Sequence, residues 1–163
     1  MPRLELLRLD HASPLLAFEQ ENRAYFAALI PDRGDDYFAH FDARHSDLLA
    51  EQETGTVLFH LLVADDGEVL GRFNLFDVAD GSAELGYRVA ERAAGKGIAS
   101  AAVRDMCARA AQEYGLTTLR ARTTLDNPAS RAVLARTGFT PVGDCTLNDR
   151  PGLRYVRDLG DLR

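Results

Sequence analysis

Eight consecutive residues, Arg92-Ala93-Ala94-Gly95-Lys96-Gly97-Ile98-Ala99, carry the chemistry of an anion site. Two glycines one residue apart let the backbone turn tightly and bring its N–H groups against a ligand. The segment that follows is predicted as a helix. Its first N–H groups lack intrahelical acceptors, and its dipole is positive at that end. Arg92 and Lys96, the only lysine of the chain, add positive charge to a protein of net charge −6. Phosphate is the anion that such a loop suits.

Three phosphate-binding patterns compete. The Walker pattern, Gly-x-x-x-x-Gly-Lys-Ser/Thr, fails: Gly97 follows Gly95-Lys96, and position 90 is Ala90. The dinucleotide fingerprint matches only in part, as Gly95-x-Gly97-x-x-Ser100, set back from Val89 by Ala90 to Ala94. No acidic residue stands at a following strand end for a ribose. The third pattern keeps the arginine, as Arg-x-x-Gly-x-Gly/Ala after a strand.

These residues need elements to hold them. Leu4 to Leu9 reads as a first strand, and Ser13-Pro14 as an N-cap with proline at the first helical position. That helix runs to about Gln20, a short one covers Arg23 to Leu29, and Pro31 to Gly34 is a break. Asp35 to Thr54 is predicted as one helix, with Phe38, Phe41, Leu48 and Leu49 as core positions and Gly55 as its stop. Thr56 to Ala64 and Glu68 to Phe76 are strands joined by the hairpin signal Asp65-Asp66-Gly67. Ser82 to Val89 is a third strand of this series. Gly97 to Tyr114 is a helix, with Ile98, Ala102, Met106 and Ala110 recurring every fourth residue and Gly115 ending it. Thr118 to Thr124 is a strand, and Asn127-Pro128 opens a helix that Gly138 closes. Phe139 to Leu147 and Leu153 to Asp158 are final strands around the turn Asn148 to Gly152. The order predicts a mixed α/β sheet with helices on both faces, in one domain over residues 1–163.

Bulk properties narrow the class. At 163 residues, with 46% hydrophobic and 27% charged content, the chain is that of a soluble globular protein with a sizeable core. No apolar run is long enough for a membrane span, and no signal peptide is visible. Cys107 and Cys145 support neither a disulfide framework nor a zinc site, so a reducing cytoplasm is the expected compartment. His11, His40, His45 and His60 show no metal-ligand spacing, and no metal is expected. The acidic balance argues against nonspecific nucleic-acid binding.

The chain resembles the GNAT N-acetyltransferases. The resemblance rests on the Arg92 to Ala99 loop, on the strand Ala83-Glu84-Leu85-Gly86-Tyr87-Arg88-Val89, and on Asn127 to Phe139, which is similar to the family's Asn-x-x-Ser-x-x-x-Leu-x-x-x-Gly-Phe helix. Within the family, the strand and helix look most like the branch that acetylates protein N-termini, the ribosomal-protein alanine acetyltransferases. The implied fold is a mostly antiparallel sheet of about six to seven strands with splayed central strands. Acetyl-CoA is the implied cosubstrate. Backbone N–H groups of Gly95, Lys96, Gly97, Ile98 and Ala99, with Arg92, would take its pyrophosphate. Backbone groups of Tyr87, Arg88 and Val89 would pair with the pantetheine arm and polarise the thioester carbonyl. Asn127 would contact the arm besides capping its helix, and Ser130 would sit near the sulfur. The N-terminal helices, with Tyr25, Phe26, Tyr37 and Phe38, and the last hairpin would shape the acceptor pocket. The resemblance also allows a homodimer.

Two chemical roles stay open. Many members carry a tyrosine four residues before this Gly-Phe as general acid; here the residue is Leu134, which leaves Ser130 or water as the donor. A thiol of reference pKa about 8.5 leaves as thiolate with little help. An α-amino group of pKa about 8 is largely protonated at neutral pH, and a carboxylate acting through water could take its proton once the amine is bound. Glu84 is the first candidate and Asp149 a weaker one. The favoured acceptor is a protein N-terminal amine. A polyamine, amino acid or aminoglycoside-like amine is the alternative, with Asp32, Asp35 and Asp36 as a candidate acidic cluster. A non-catalytic CoA-binding sensor is the third reading.

Overall fold

The structure is a computed structural model and describes residues 1–163. Seven strands form one sheet: β1 (Arg3–Leu6), β2 (Leu58–Val63), β3 (Val69–Ala79), β4 (Ser82–Val89), β5 (Thr118–Thr124), β6 (Thr140–Leu147) and β7 (Arg150–Asp158). Their order is β1-β2-β3-β4-β5-β7-β6. Six helices accompany them: α1 (Ala12–Glu21), α2 (Arg23–Ala27), α3 (Asp35–Ala39), α4 (Phe41–Glu53), α5 (Ile98–Gln112) and α6 (Pro128–Arg136). None is long and apolar enough to cross a membrane.

All strand pairs are antiparallel except β4 with β5, which the α5 crossover joins. Strand alternation divides the core in two. Phe73, Leu75, Leu85, Leu119 and Ala121 pack against Val103, Met106 and Ala110 of α5 and Leu134 of α6. On the opposite face, Phe59, Leu61 and Val63 pack against Leu15, Phe18, Phe26 and Phe41 of the N-terminal helices. β2 lies inside the sheet and is covered on both faces, which explains its nearly unbroken apolar run.

β4 and β5 form the feature that matters most. They pair only through Ser82, Ala83 and Glu84, opposite Thr118, Leu119 and Arg120. Beyond Glu84, β4 stays paired with β3 as far as Val89, and β5 stays paired with β7 as far as Thr124. The two central strands therefore diverge, and a gap opens beside Leu85 to Val89.

Local signals go wrong at three places. His11, not Ser13, is the N-cap of α1, and Ser13 lies inside the helix. The expected Asp35 to Thr54 helix breaks at His40, which caps both pieces. Of its expected core positions, Phe41 is buried, and Phe38, Leu48 and Leu49 are half-buried against the same cluster; Tyr37 and His45 are buried as well. The last turn is confined to Asn148 and Asp149, whose φ values of 53° and 61° close a two-residue hairpin, so Arg150 to Gly152 belong to β7.

His60 of β2 is fully buried, and its Nε2 lies 2.6 Å from the Tyr114 hydroxyl. Burial and the nearby Arg109 charge push its pKa from 6.5 down to about 4. The unfolded chain therefore takes up this proton first as pH falls. The stabilisation is whole above about pH 6.5 and is lost between 6.5 and about 4. Its size is about 3 kcal/mol. Urea unfolding at pH 7 and pH 4 is expected to show that extra loss in the wild type and not in His60→Gln.

Candidate functional site

The gap between β4 and β5 opens into a groove of about 190 Å³, lined by Tyr87, Arg88 and Val89 of β4, Gly95 and Ala99 of the glycine loop and α5, and Asn127 and Ser130 of α6. Tyr25, Phe26, Leu29 and Ile30 of the α2 region close its other side. Residues far apart in sequence are thus brought together around one apolar slot with polar ends.

Backbone direction follows from a single hydrogen bond. The Ala90 N–H donates to the Leu70 carbonyl at 2.8 Å, so the peptide groups of Arg88 and Gly86 also point at β3. No bulge interrupts β4 between Glu84 and Val89, so Leu85, Tyr87 and Val89 direct their N–H and C=O groups into the gap.

At the far end of the groove, Gly95 and Gly97 have φ of 71° and 75°, conformations that favour glycine. Gly97 caps α5 without a side-chain cap. The N–H groups of Gly95, Lys96 and Gly97 donate to no backbone carbonyl. With the first turn of α5 they present N–H groups without backbone acceptors in an exposed loop, the type of arrangement that suits an anion. Lys96 has no ion-pair partner, while Arg92 turns to Glu68 of the β2–β3 hairpin at 2.8 Å. Ile98 packs against the core below.

Asn127 caps α6 through its side-chain oxygen, which accepts from the Ser130 N–H at 3.2 Å. Its amide nitrogen has no protein partner, and the residue lines the groove. The Ser130 hydroxyl lies 3.2 Å from the Tyr87 phenol. The Tyr87 ring stacks on Phe73, and burial raises its pKa, so the phenol stays protonated. Leu134 is buried in the core and does not line the groove. The hydroxyl pair of Tyr87 and Ser130 is not legible in the sequence. Its only signal is that Tyr87 stands on the same strand face as core residue Leu85.

A larger cavity of about 660 Å³ adjoins on the side of the N-terminal helices. The two share Ile30, Tyr87 and Arg88. Gly86 belongs to its wall, and a Cβ there would meet the Phe76 ring at 3.0 Å. Tyr37 lines it, and Asn148 of the last hairpin closes it. Phe38 instead lies under the Arg23 guanidinium at 4.5 Å. Asp149 is exposed outside the cavity. Glu84 lies outside both cavities although its sheet neighbours Phe76 and Gly86 line the larger one. Its Oε2 accepts from Arg122 Nη2 at 2.9 Å and Nε at 3.2 Å, and its Oε1 has no protein partner. Asp32 and Asp35 are bound by Arg23 and Asp36 faces His40 and Arg44, so the acidic cluster turns away from the cavity.

Sequence reasoning misses the cluster behind this cavity. Arg72 of β3 and Arg88 of β4 are directly opposed in register, a like-charge pair that needs a counterion. Glu19 of α1, 1% exposed, supplies it: Arg72 Nη1 at 2.8 Å, Arg33 Nη2 at 3.1 Å and Arg88 Nη1 at 3.5 Å surround its carboxylate. Burial alone would raise the Glu19 pKa, but Arg33 and Arg72 hold it below the usual range. Burial lowers Arg88 to about 10, helped by the charges of Arg33 and Arg72. Cys107 is buried in α5, its thiol pushed up to about 11, and takes no part.

Residues 3–140 match the model of the acetyltransferase (GNAT) domain. A curated relative, the probable N-acetyltransferase YjcK of Bacillus subtilis, is 28% identical over 145 residues, covering 84% of this chain and 79% of that one. Mycobacterium smegmatis RimJ, solved in complex with CoA-disulfide, superposes with a TM-score of 0.86 at 26% identity over 98% of this chain and 82% of its own. Ribosomal-protein-S5-alanine acetyltransferase from Vibrio fischeri shares the fold, with a TM-score of 0.90 at 18% identity over 99% and 95%. So does a chimera of spermidine N-acetyltransferase SpeG from Vibrio cholerae, at 0.81 and 14% over 99% and 97%.

Proposed function

From the chain's membership in the GNAT acetyltransferase family, we propose an acceptor and a division of labour for its acetyl-CoA-dependent N-acetyl transfer. The acceptor is the α-amino group of a protein or peptide N-terminus, entering through the larger cavity. The observation that carries this reading is the pair of cavities meeting at Tyr87 and Arg88, one slot-like and apolar, the other wide enough for several residues of an extended chain.

Bound acetyl-CoA supplies a thioester whose carbonyl carbon the amine attacks directly, with proximity contributing much of the rate. Around it, the Gly95 to Ala99 loop holds pyrophosphate through backbone N–H groups. Leu85, Tyr87 and Val89 offer gap-facing peptide groups to the pantetheine arm, and one of their N–H groups steadies negative charge on the carbonyl oxygen. The free amide nitrogen of Asn127 reaches the same arm. The Tyr87 phenol, held beside the Ser130 hydroxyl, gives a proton to the leaving sulfur. Glu84, at the apex of the gap, receives the amine proton through water on its free Oε1 while Arg122 holds its other oxygen.

The loop is open to a direct test. At Gly97, with φ of 75°, a β-branched side chain is strained by about 1–2 kcal/mol and crowds the N–H groups that face the phosphate. Gly97→Val is expected to weaken acetyl-CoA by about tenfold or more in calorimetry. Gly97→Asn, which tolerates this conformation, loses less. Equal affinity for all three proteins would remove the loop from the site. The acceptor is tested by CoA release against N-terminal peptides and spermidine, with peptides expected to turn over faster.

A further inference from the structure

We propose that the larger cavity selects an acceptor that carries a carboxylate near its primary amine, and that Arg33, Arg72 and Arg88 bind that carboxylate. The proposal rests on the N-acetyl transfer above and specifies its substrate.

The cluster is incomplete as it stands. Three guanidinium groups share the single carboxylate of Glu19. Arg72 is 4% exposed and directs only Nη1 to protein, at 2.8 Å to Glu19 and 3.3 Å to the Tyr37 hydroxyl. Its Nε is buried without an acceptor, as is the Nε of Arg33, and the Nη2 of Arg72 has no protein partner either. A buried charged donor left unpaired costs more than an ordinary lost hydrogen bond. All three arginines line the cavity, and the side chains of Arg33 and Arg88 keep 28% and 20% of their surface exposed. Arg33 lies over the Tyr37 ring and Arg88 over the Phe26 ring, which fixes both heads.

The sign of the wall decides the class. The cavity's carboxylates, Asp47 and Glu51, stand on the exposed rim along α4 beside Arg44, so the inner wall is cationic within a net acidic chain. A polyamine would bring more positive charge against it. A carboxylate, in contrast, fits the planar fork of a guanidinium and meets the surplus charge. Arg88 borders both cavities, so an anion held there lies close to the gap where the amine must attack. Asn74 stands on the same wall and adds no charge to it. Two sources share this chemistry: a free amino acid, and a peptide with an acidic residue next to its N-terminus.

The test measures CoA release with a peptide carrying glutamate in second position, its glutamine counterpart, free glutamate and spermidine. In parallel, the N-acetylated forms of both peptides are titrated into the CoA-loaded protein by calorimetry. The glutamate peptide is expected to exceed the glutamine peptide about tenfold in kcat/KM, and its product to bind about tenfold tighter. In Arg33→Gln this ratio is expected to collapse toward one, and in Arg33→Lys to survive in part. Faster turnover of free glutamate than of the peptide would assign the site to amino acids. Equal binding of the two products, or a preference for spermidine, overturns the proposal even if peptides are acetylated. Tighter binding of the acidic product with no turnover of any amine upholds the anion site and sinks the acetyl transfer to these acceptors.

Discussion

Tyr87→Phe is expected to lower kcat by roughly 10²-fold while leaving the acetyl-CoA dissociation constant within about threefold. The phenol is 3.2 Å from the Ser130 hydroxyl in the wall of the groove, and burial keeps it protonated well into alkaline solution. A group that must donate a proton in the transition state, and that adds little to ground-state binding, changes kcat and not affinity. Its removal leaves the ring, its stacking on Phe73 and the backbone of β4 in place. Ser130→Ala is expected to cost less, about tenfold, because it orients the phenol without holding the leaving sulfur's proton alone. The alkaline limb of the kcat profile is expected to shift in Tyr87→Phe. A variant that keeps most of the wild-type kcat would assign proton donation to Ser130 or to water.

Glu19→Gln is expected to destabilise the fold by about 3–5 kcal/mol, a large share of the stability of an ordinary domain. The substitution preserves shape and removes the only carboxylate facing Arg33, Arg72 and Arg88. Arg72, only 4% exposed, has little water to take the place of the lost carboxylate and sits beside Arg88 across the β3–β4 ladder. The Glu19 carboxyl titrates below its usual range, so its contribution is complete at neutral pH and fades only as pH falls through that lowered value. Urea unfolding at pH 7 measures the loss. A midpoint equal to the wild type's would mean that the three arginines find solvent or another counterion without Glu19.

The elements around the groove are legible in the sequence because each is dictated locally. β4 and β5 run over the residues that alternation and β-branching indicate, and the Asn127-Pro128 start of α6 is a cap followed by a residue suited to the first helical turn. Glycines at 95 and 97 mark the loop because their positive φ values admit few other residues. The break at His40 is invisible because apolar periodicity runs through it with no glycine or proline to mark it. The Glu19 cluster is hidden for another reason: its members come from α1, the segment before α3, β3 and β4, and each alone reads as a surface charge. Only the register that opposes Arg72 to Arg88 turns them into one buried group. The fate of Glu84 depends likewise on Arg122 of the neighbouring strand, a partner that spacing cannot reveal.

The most direct measurement is CoA-thiol release from acetyl-CoA in the presence of a peptide with a free N-terminus, with the product's acetyl group located by mass spectrometry. Release that depends on the peptide, matched one for one by acetylation at its α-nitrogen, is the expected result. Absence of release with every primary amine, together with no calorimetric binding of acetyl-CoA, would contradict the assignment of the β4–β5 groove to this cosubstrate.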